Sequence, residues 1–135
     1  MAMKTYQGGC HCGNVRFEAA FDVAAGSTKC NCSICTKARL WSLRVKPENF
    51  RLLTSESELT DYRFNSNSVR HLFCKTCGVR SYEWADIPQA GGAYYSVMVT
   101  CVDELDFGQL LAAPIRFCDG RANNWWSPPD DMRYL

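Results

Sequence analysis

Seven of the nine cysteines in this chain fall into three short clusters: Cys10-His11-Cys12, Cys30-Asn31-Cys32-Ser33-Ile34-Cys35 and Cys74-Lys75-Thr76-Cys77. Thiols spaced one or two residues apart turn readily onto one metal ion, whereas a disulfide between such close neighbours is strained. Any fold this chain adopts therefore has to gather sulfur at a few points. Seven thiols divide as four plus three. Four close a tetrahedral structural zinc site, and three leave one coordination position open.

Two of the clusters end in glycine, as Cys10-x-Cys12-Gly13 and Cys74-x-x-Cys77-Gly78, and each precedes a strand pattern. Glycine permits the left-handed turn that brings backbone N–H groups toward the sulfurs. A CxxC pair cannot complete a tetrahedron alone, so the spacing favours one joint site of Cys10, Cys12, Cys74 and Cys77. The alternative is that each pair is simply buried or serves a different metal. The middle cluster of Cys30, Cys32 and Cys35 has no fourth ligand close in sequence. Cys101, Cys118, His11 or His71 would close it through the fold and make it structural; a water or a substrate thiol would fill it otherwise. An open three-thiolate zinc carries formal charge −1, which suits holding and presenting a sulfur nucleophile better than splitting water.

Length and charge narrow the classes. The chain of 135 residues is expected to form a single domain, 1–135, and a net charge of +1 offers no field for nucleic acid or an anionic membrane. The N-terminus lacks the apolar stretch of a secretory signal, and no apolar run is long enough to span a bilayer. The expectation is a cytoplasmic protein whose thiols stay reduced, with a secreted disulfide framework as the lesser alternative. Nine cysteines also sit poorly with a fully paired framework.

Hydrophobic alternation predicts a mainly β chain, with strands over 14–21, 41–45, 59–64, 69–73, 79–84 and 94–99. Val15, Phe17 and Phe21 share one face of the first; Tyr95, Val97 and Val99 share one face of the last. Helical signals are confined to single turns at 47–50 and 102–105, and the stretch after Asn123 reads as irregular.

The clusters in this order resemble the glutathione-dependent formaldehyde-activating family. The resemblance is carried by Gly9-Cys10-His11-Cys12-Gly13-Asn14-Val15-Arg16-Phe17-Glu18, Cys30-Asn31-Cys32-Ser33-Ile34-Cys35 and Phe73-Cys74-Lys75-Thr76-Cys77-Gly78-Val79. Val97-Met98-Val99-Thr100-Cys101-Val102-Asp103 and Phe117-Cys118-Asp119-Gly120-Arg121 extend it. It implies a β-tent of short antiparallel strands around zinc knuckles and two Zn²⁺ ions. Cys10, Cys12, Cys74 and Cys77 would hold the structural zinc, and Cys30, Cys32 and Cys35 the second. The implied partners are glutathione or another small thiol and a small carbonyl. The implied reaction is thiol addition to formaldehyde, a carbon–sulfur lyase run in reverse.

Among the lesser features, Arg121 is a candidate for a substrate carboxylate, because guanidinium groups bind carboxylates in bidentate fashion. Trp41 is a candidate pocket wall. The ordinary readings are a solvated arginine and a core tryptophan. Two further functional readings stand beside the lyase. The segment Ile115-Arg116-Phe117-Cys118 has a superficial likeness to the catalytic-cysteine segment of methionine-R-sulfoxide reductases, although Asp119 follows Cys118 where an apolar residue and an asparagine are expected. A non-enzymatic protein-binding module with both zincs structural is the other. His11 and His71 receive no catalytic role.

Overall fold

The computed structural model describes residues 3–135, and its architecture is two β-sheets on one core. The smaller sheet has the order β1-β2-β5, from β1 (Lys4–Gly9), β2 (Arg16–Phe21) and β5 (Phe50–Leu52). The larger has the order β10-β3-β4-β9-β8-β7-β6. Its members are β3 (Ser27–Cys30), β4 (Trp41–Val45), β6 (Leu59–Tyr62), β7 (Val69–Cys74), β8 (Tyr82–Ile87), β9 (Gly92–Met98) and β10 (Ile115–Cys118). Two short helices complete it: α1 (Ser33–Ala38) and α2 (Phe107–Ala112). This is the mainly β, two-sheet architecture expected of a β-tent. Every paired strand is antiparallel except the β10–β3 edge, where Ile115 lies beside Ser27 and Cys118 beside Cys30 in parallel register.

Period-two burial explains why the two sheets stack. Phe17 and Ala19 of β2 are fully buried and Phe21 nearly so, so one face of that strand is core. Aromatic rings from both sheets meet across the gap. Phe50 of β5 lies 4.0 Å from Tyr95 of β9 and 4.7 Å from Tyr82 of β8, while Phe17 edges onto Tyr82 at 5.9 Å. At the foot of β1, a Cβ on Gly8 would sit 2.4 Å from the Cys101 carbonyl oxygen. Only glycine lets the 101–103 loop approach there, where Val102 bridges Gly8 and the Asp103 N–H donates to the Gln7 carbonyl at 2.8 Å.

Strand 41–45 appears as expected, and 69–73 runs one residue further. The strand expected at 79–84 begins only at Tyr82, because the Val79 carbonyl is spent on the Cys74 N–H in the preceding turn. A helical turn forms at Pro47–Asn49, as the 47–50 reading anticipated. The one expected at 102–105 is absent: Glu104 takes a left-handed φ of 54°, and the helix starts after Asp106, whose carboxylate accepts from the Gln109 N–H. No helix among the described residues is long and apolar enough to cross a membrane.

Phe17 is the largest fully buried side chain. Phe17→Ala is expected to cost about 3–5 kcal/mol, read as a lower urea midpoint with an unchanged m-value.

Candidate metal and thiol site

The first and third clusters form matching knuckles. In each, the leading cysteine pairs its N–H with a carbonyl past the turn: Cys10 with Val15 at 3.0 Å, Cys74 with Val79 at 3.0 Å. In each, a backbone N–H returns to the leading sulfur, from Val15 to Cys10 Sγ at 3.3 Å and from Thr76 to Cys74 Sγ at 3.4 Å. Gly13 and Gly78 supply the turns with φ of 89° and 77°. The two knuckles face each other, so that all four sulfurs lie within 4.8 Å of one another. Cys10 and Cys12 sulfurs are 3.7 Å apart and Cys12 and Cys74 sulfurs 3.6 Å apart. Bonds of about 2.3 Å to a central tetrahedral zinc require sulfur separations of about 3.8 Å. The donor set and its spacing therefore fit such an ion.

Electrostatics agree. The N–H groups of Cys12 and Val79 favour the Cys77 thiolate and draw its pKa down to about 6. At Cys12 the Asn14 N–H acts in the same sense, but lost hydration and the sulfurs of Cys74, Cys10 and Cys77 outweigh it and push that thiol up to about 12. Four adjacent sulfurs cannot all ionise without a cation between them.

The middle cluster is built differently. Cys30 ends β3, Cys32 precedes the first turn of α1 and Cys35 lies within it. The three sulfurs also lie within 4.8 Å of one another. The Cys30 and Cys35 thiols, with the N–H groups of Cys35 and Ile34, hold Cys32 far below the usual thiol range; Cys35, crowded by Cys30 and Cys32 and buried, is raised. Among the described residues no other Cys, His, Asp or Glu ligand atom joins this group within the same distance. Cys118 and Cys101 do pack against the small cluster of Cys30, Leu40 and Met98, without joining the sulfur group. His71 is buried elsewhere, 3.2 Å from Glu83 and 3.1 Å from Arg80, and His11 is exposed on the first knuckle.

Arg121 is brought to the middle cluster, where its Nε donates to the Asn31 carbonyl at 3.3 Å and its Nη2 to Thr36 Oγ1 at 3.3 Å. Trp41 packs instead against the main core, with its indole N–H donating to Ser27 Oγ at 2.8 Å and Lys29 over its ring at 4.7 Å. A separate cleft of about 290 Å³ opens between the sheets beside Phe50, Tyr82, Trp84 and Tyr95, away from both sulfur groups. Sequence reasoning missed Asn31 and Tyr94. Asn31 was visible as the residue between two cysteines. Tyr94 had no local signal; it shares a face of β9 with Met98, which packs beside Cys30. Arg44 stacks on its ring at 3.9 Å. Burial raises its phenol, which keeps it a proton donor at neutral pH.

Two sulfur clusters able to hold metal ions are thus mounted on a two-sheet β fold. Residues 5–117 match the family model described as glutathione-dependent formaldehyde-activating enzyme, and the chain belongs to that family. The crystal structure of a Rhodobacter sphaeroides protein is similar in fold, with a TM-score of 0.69 and 25% identity over 81% of this chain and 98% of that one.

Cys74 is almost fully buried and Cys32 is not. Cys74→Ser is expected to lower the melting temperature by more than Cys32→Ser, because it removes a buried member of the four-sulfur group in which knuckles of the two sheets meet. Parallel thermal melts of the two variants check this.

Proposed function

We propose that this protein adds a small thiol, glutathione in the first instance, to formaldehyde or a related small carbonyl, with Zn²⁺ at both sulfur clusters. The observation that carries this reading is the group of three sulfurs with no fourth ligand atom beside them, in a chain of the formaldehyde-activating family. Cys10, Cys12, Cys74 and Cys77 would hold the structural ion, and Cys30, Cys32 and Cys35 the reactive one. The ion at the open cluster would stabilise a bound thiolate.

The chain's own residues supply the rest. Binding at the open cluster orients the thiol sulfur for attack, which converts an encounter of two solutes into one positioned step. A carbon–sulfur bond forms as the carbonyl π bond breaks, and the thiol proton is balanced by a proton delivered to the carbonyl oxygen. Tyr94, on the face of β9 that carries Met98 beside Cys30, is our candidate for delivering that proton. Arg121 is held at the rim by the Asn31 carbonyl and Thr36, where its charge offsets the negative sulfur cluster and attracts a carboxylate of the thiol substrate.

The test is disappearance of formaldehyde in the presence of glutathione, with metal-loaded wild type and Cys32→Ser compared. The variant is expected to lose more than about 100-fold of the enzyme-dependent rate, the upper end of what loss of an outer-shell partner alone costs. Undiminished turnover would sink the reading. Reduction of a methionine sulfoxide that vanishes in Cys118→Ser would favour the reductase instead. Two zincs indifferent to thiol, with no turnover, would favour a binding module.

A further inference from the structure

Asn31 is 2% exposed although it is polar, and it lies between two of the three clustered cysteines. A buried amide of this kind has to be satisfied, and here the satisfaction comes from the C-terminal segment. Its Nδ2 donates to Asp119 Oδ1 at 2.9 Å and to the Tyr134 hydroxyl at 3.2 Å. Its Oδ1 accepts from the Arg121 N–H at 2.9 Å. Its main-chain N–H donates to the Cys118 carbonyl at 3.3 Å, and its carbonyl accepts from Thr36 Oγ1 at 2.8 Å.

The same segment touches the cluster at two further places. A Cβ on Gly120 would stand 2.5 Å from the Trp125 ring and 2.8 Å from Cys32 Cβ, so only glycine lets this backbone pass close to both the indole and Cys32. The turn carrying Trp125 is held by Asn124 N–H to the Asp119 carbonyl at 2.8 Å and Asp119 N–H to the Ser127 carbonyl at 3.0 Å. Further along, Arg39 at the end of α1 donates to the Tyr134 carbonyl at 2.8 Å, and Lys29 of β3 to the Leu135 carbonyl at 3.2 Å.

We infer that residues 119–135 are the outer shell of the three-cysteine site, with Asn31 as the positioning residue through which their docking sets how tightly that site retains metal. The inference rests on the reading of Cys30, Cys32 and Cys35 as a metal site. The physical cause is pre-organisation. Outer-shell partners that fix ligand orientation typically change metal affinity by about 10–100-fold, and here they fix the loop that spaces Cys30 from Cys32. The four-sulfur site shares none of these contacts and serves as an internal control.

The experiment follows metal release from the zinc-loaded full chain into a chromogenic chelator, for wild type, Tyr134→Phe and Gly120→Ala. Tyr134→Phe removes only the hydroxyl that Asn31 reaches; Gly120→Ala puts a methyl where both the Trp125 ring and Cys32 stand too close, and so forces the segment away from Cys32. Each variant is expected to release one equivalent about 10-fold faster, with the second equivalent unchanged. Release identical to wild type in both variants overturns the coupling, and so does equal acceleration of both equivalents, which reports general loosening. If wild type yields a single equivalent, with none lost in Cys32→Ser, the metal reading of the middle cluster itself falls.

Discussion

The structure depends on a clasp of four sulfurs. Cys10 and Cys12 leave the end of β1, Cys74 and Cys77 leave the end of β7, and these strands belong to different sheets. The sheets otherwise meet through the aromatic seam of Phe17, Phe50, Tyr82 and Tyr95, whose attraction is strong but tolerant of sliding. Sulfur positions around a metal are not tolerant. A shared ion would fix the knuckles to within a few tenths of an ångström and with them the register in which the aromatic rings interleave. The 101–103 loop is drawn in beside the clasp because it pairs with Gly8 and Gln7, two residues ahead of Cys10. That placement carries Cys101 toward the Cys30, Leu40 and Met98 group and leaves the middle cluster on the sheet face beyond.

How much of this was legible follows from which forces act locally. The knuckles were legible because cysteine spacing and a trailing glycine state the whole geometry within five or six residues. Strand 41–45 was legible because its core face alternates cleanly. The strands β1, β3, β5 and β10 were not. Gly8 and Gly9 carry no side chain to signal a strand, yet in the fold they are the strand end where another backbone presses close. β10 exists only because Gly26 and Pro114 bring residues distant in sequence side by side, and Ser27 N–H then bonds to the Pro114 carbonyl at 2.9 Å. The helix α2 was missed because six residues are too few for a helical period to emerge, although Asp106 was available as a cap.

The site shows the same division. Spacing assembled the three-cysteine cluster correctly as a set of neighbours, and it left open whether Cys101, Cys118 or a histidine would complete the set. Only the tertiary structure answers that, because Cys118 arrives beside Cys30 through strand pairing rather than through chain proximity. The candidate arginine illustrates the limit of composition. Arg121 was chosen as a candidate for a substrate carboxylate, and the fold uses two of its nitrogens to brace the loop carrying Cys30 and Cys32. A residue can brace a loop and still carry its charge there. The two roles coincide because the guanidinium is fork-shaped and always ionised.

The two clusters are chemically alike and physically opposed. Four thiolates around a divalent ion give a formal charge of −2 and no vacancy, and both leading cysteines are buried. Nothing in that arrangement rewards an incoming thiol. Three thiolates would leave a vacancy, and the loop carrying them is braced by Arg121, by Asp119 through the amide of Asn31, and by Arg39 and Lys29 through the last two residues. A site meant only to be filled would have drawn Cys118 in, since it already lies one strand away. The fold keeps Cys118 protonated through burial, and holds it outside the sulfur group. It then packs beside the cluster a segment held to Asn31, Lys29 and Arg39 by hydrogen bonds, each individually weak and exchangeable. On the proposed reading of the middle cluster, such a cover would shield the sulfurs from water without occupying the position that a fourth ligand would fill.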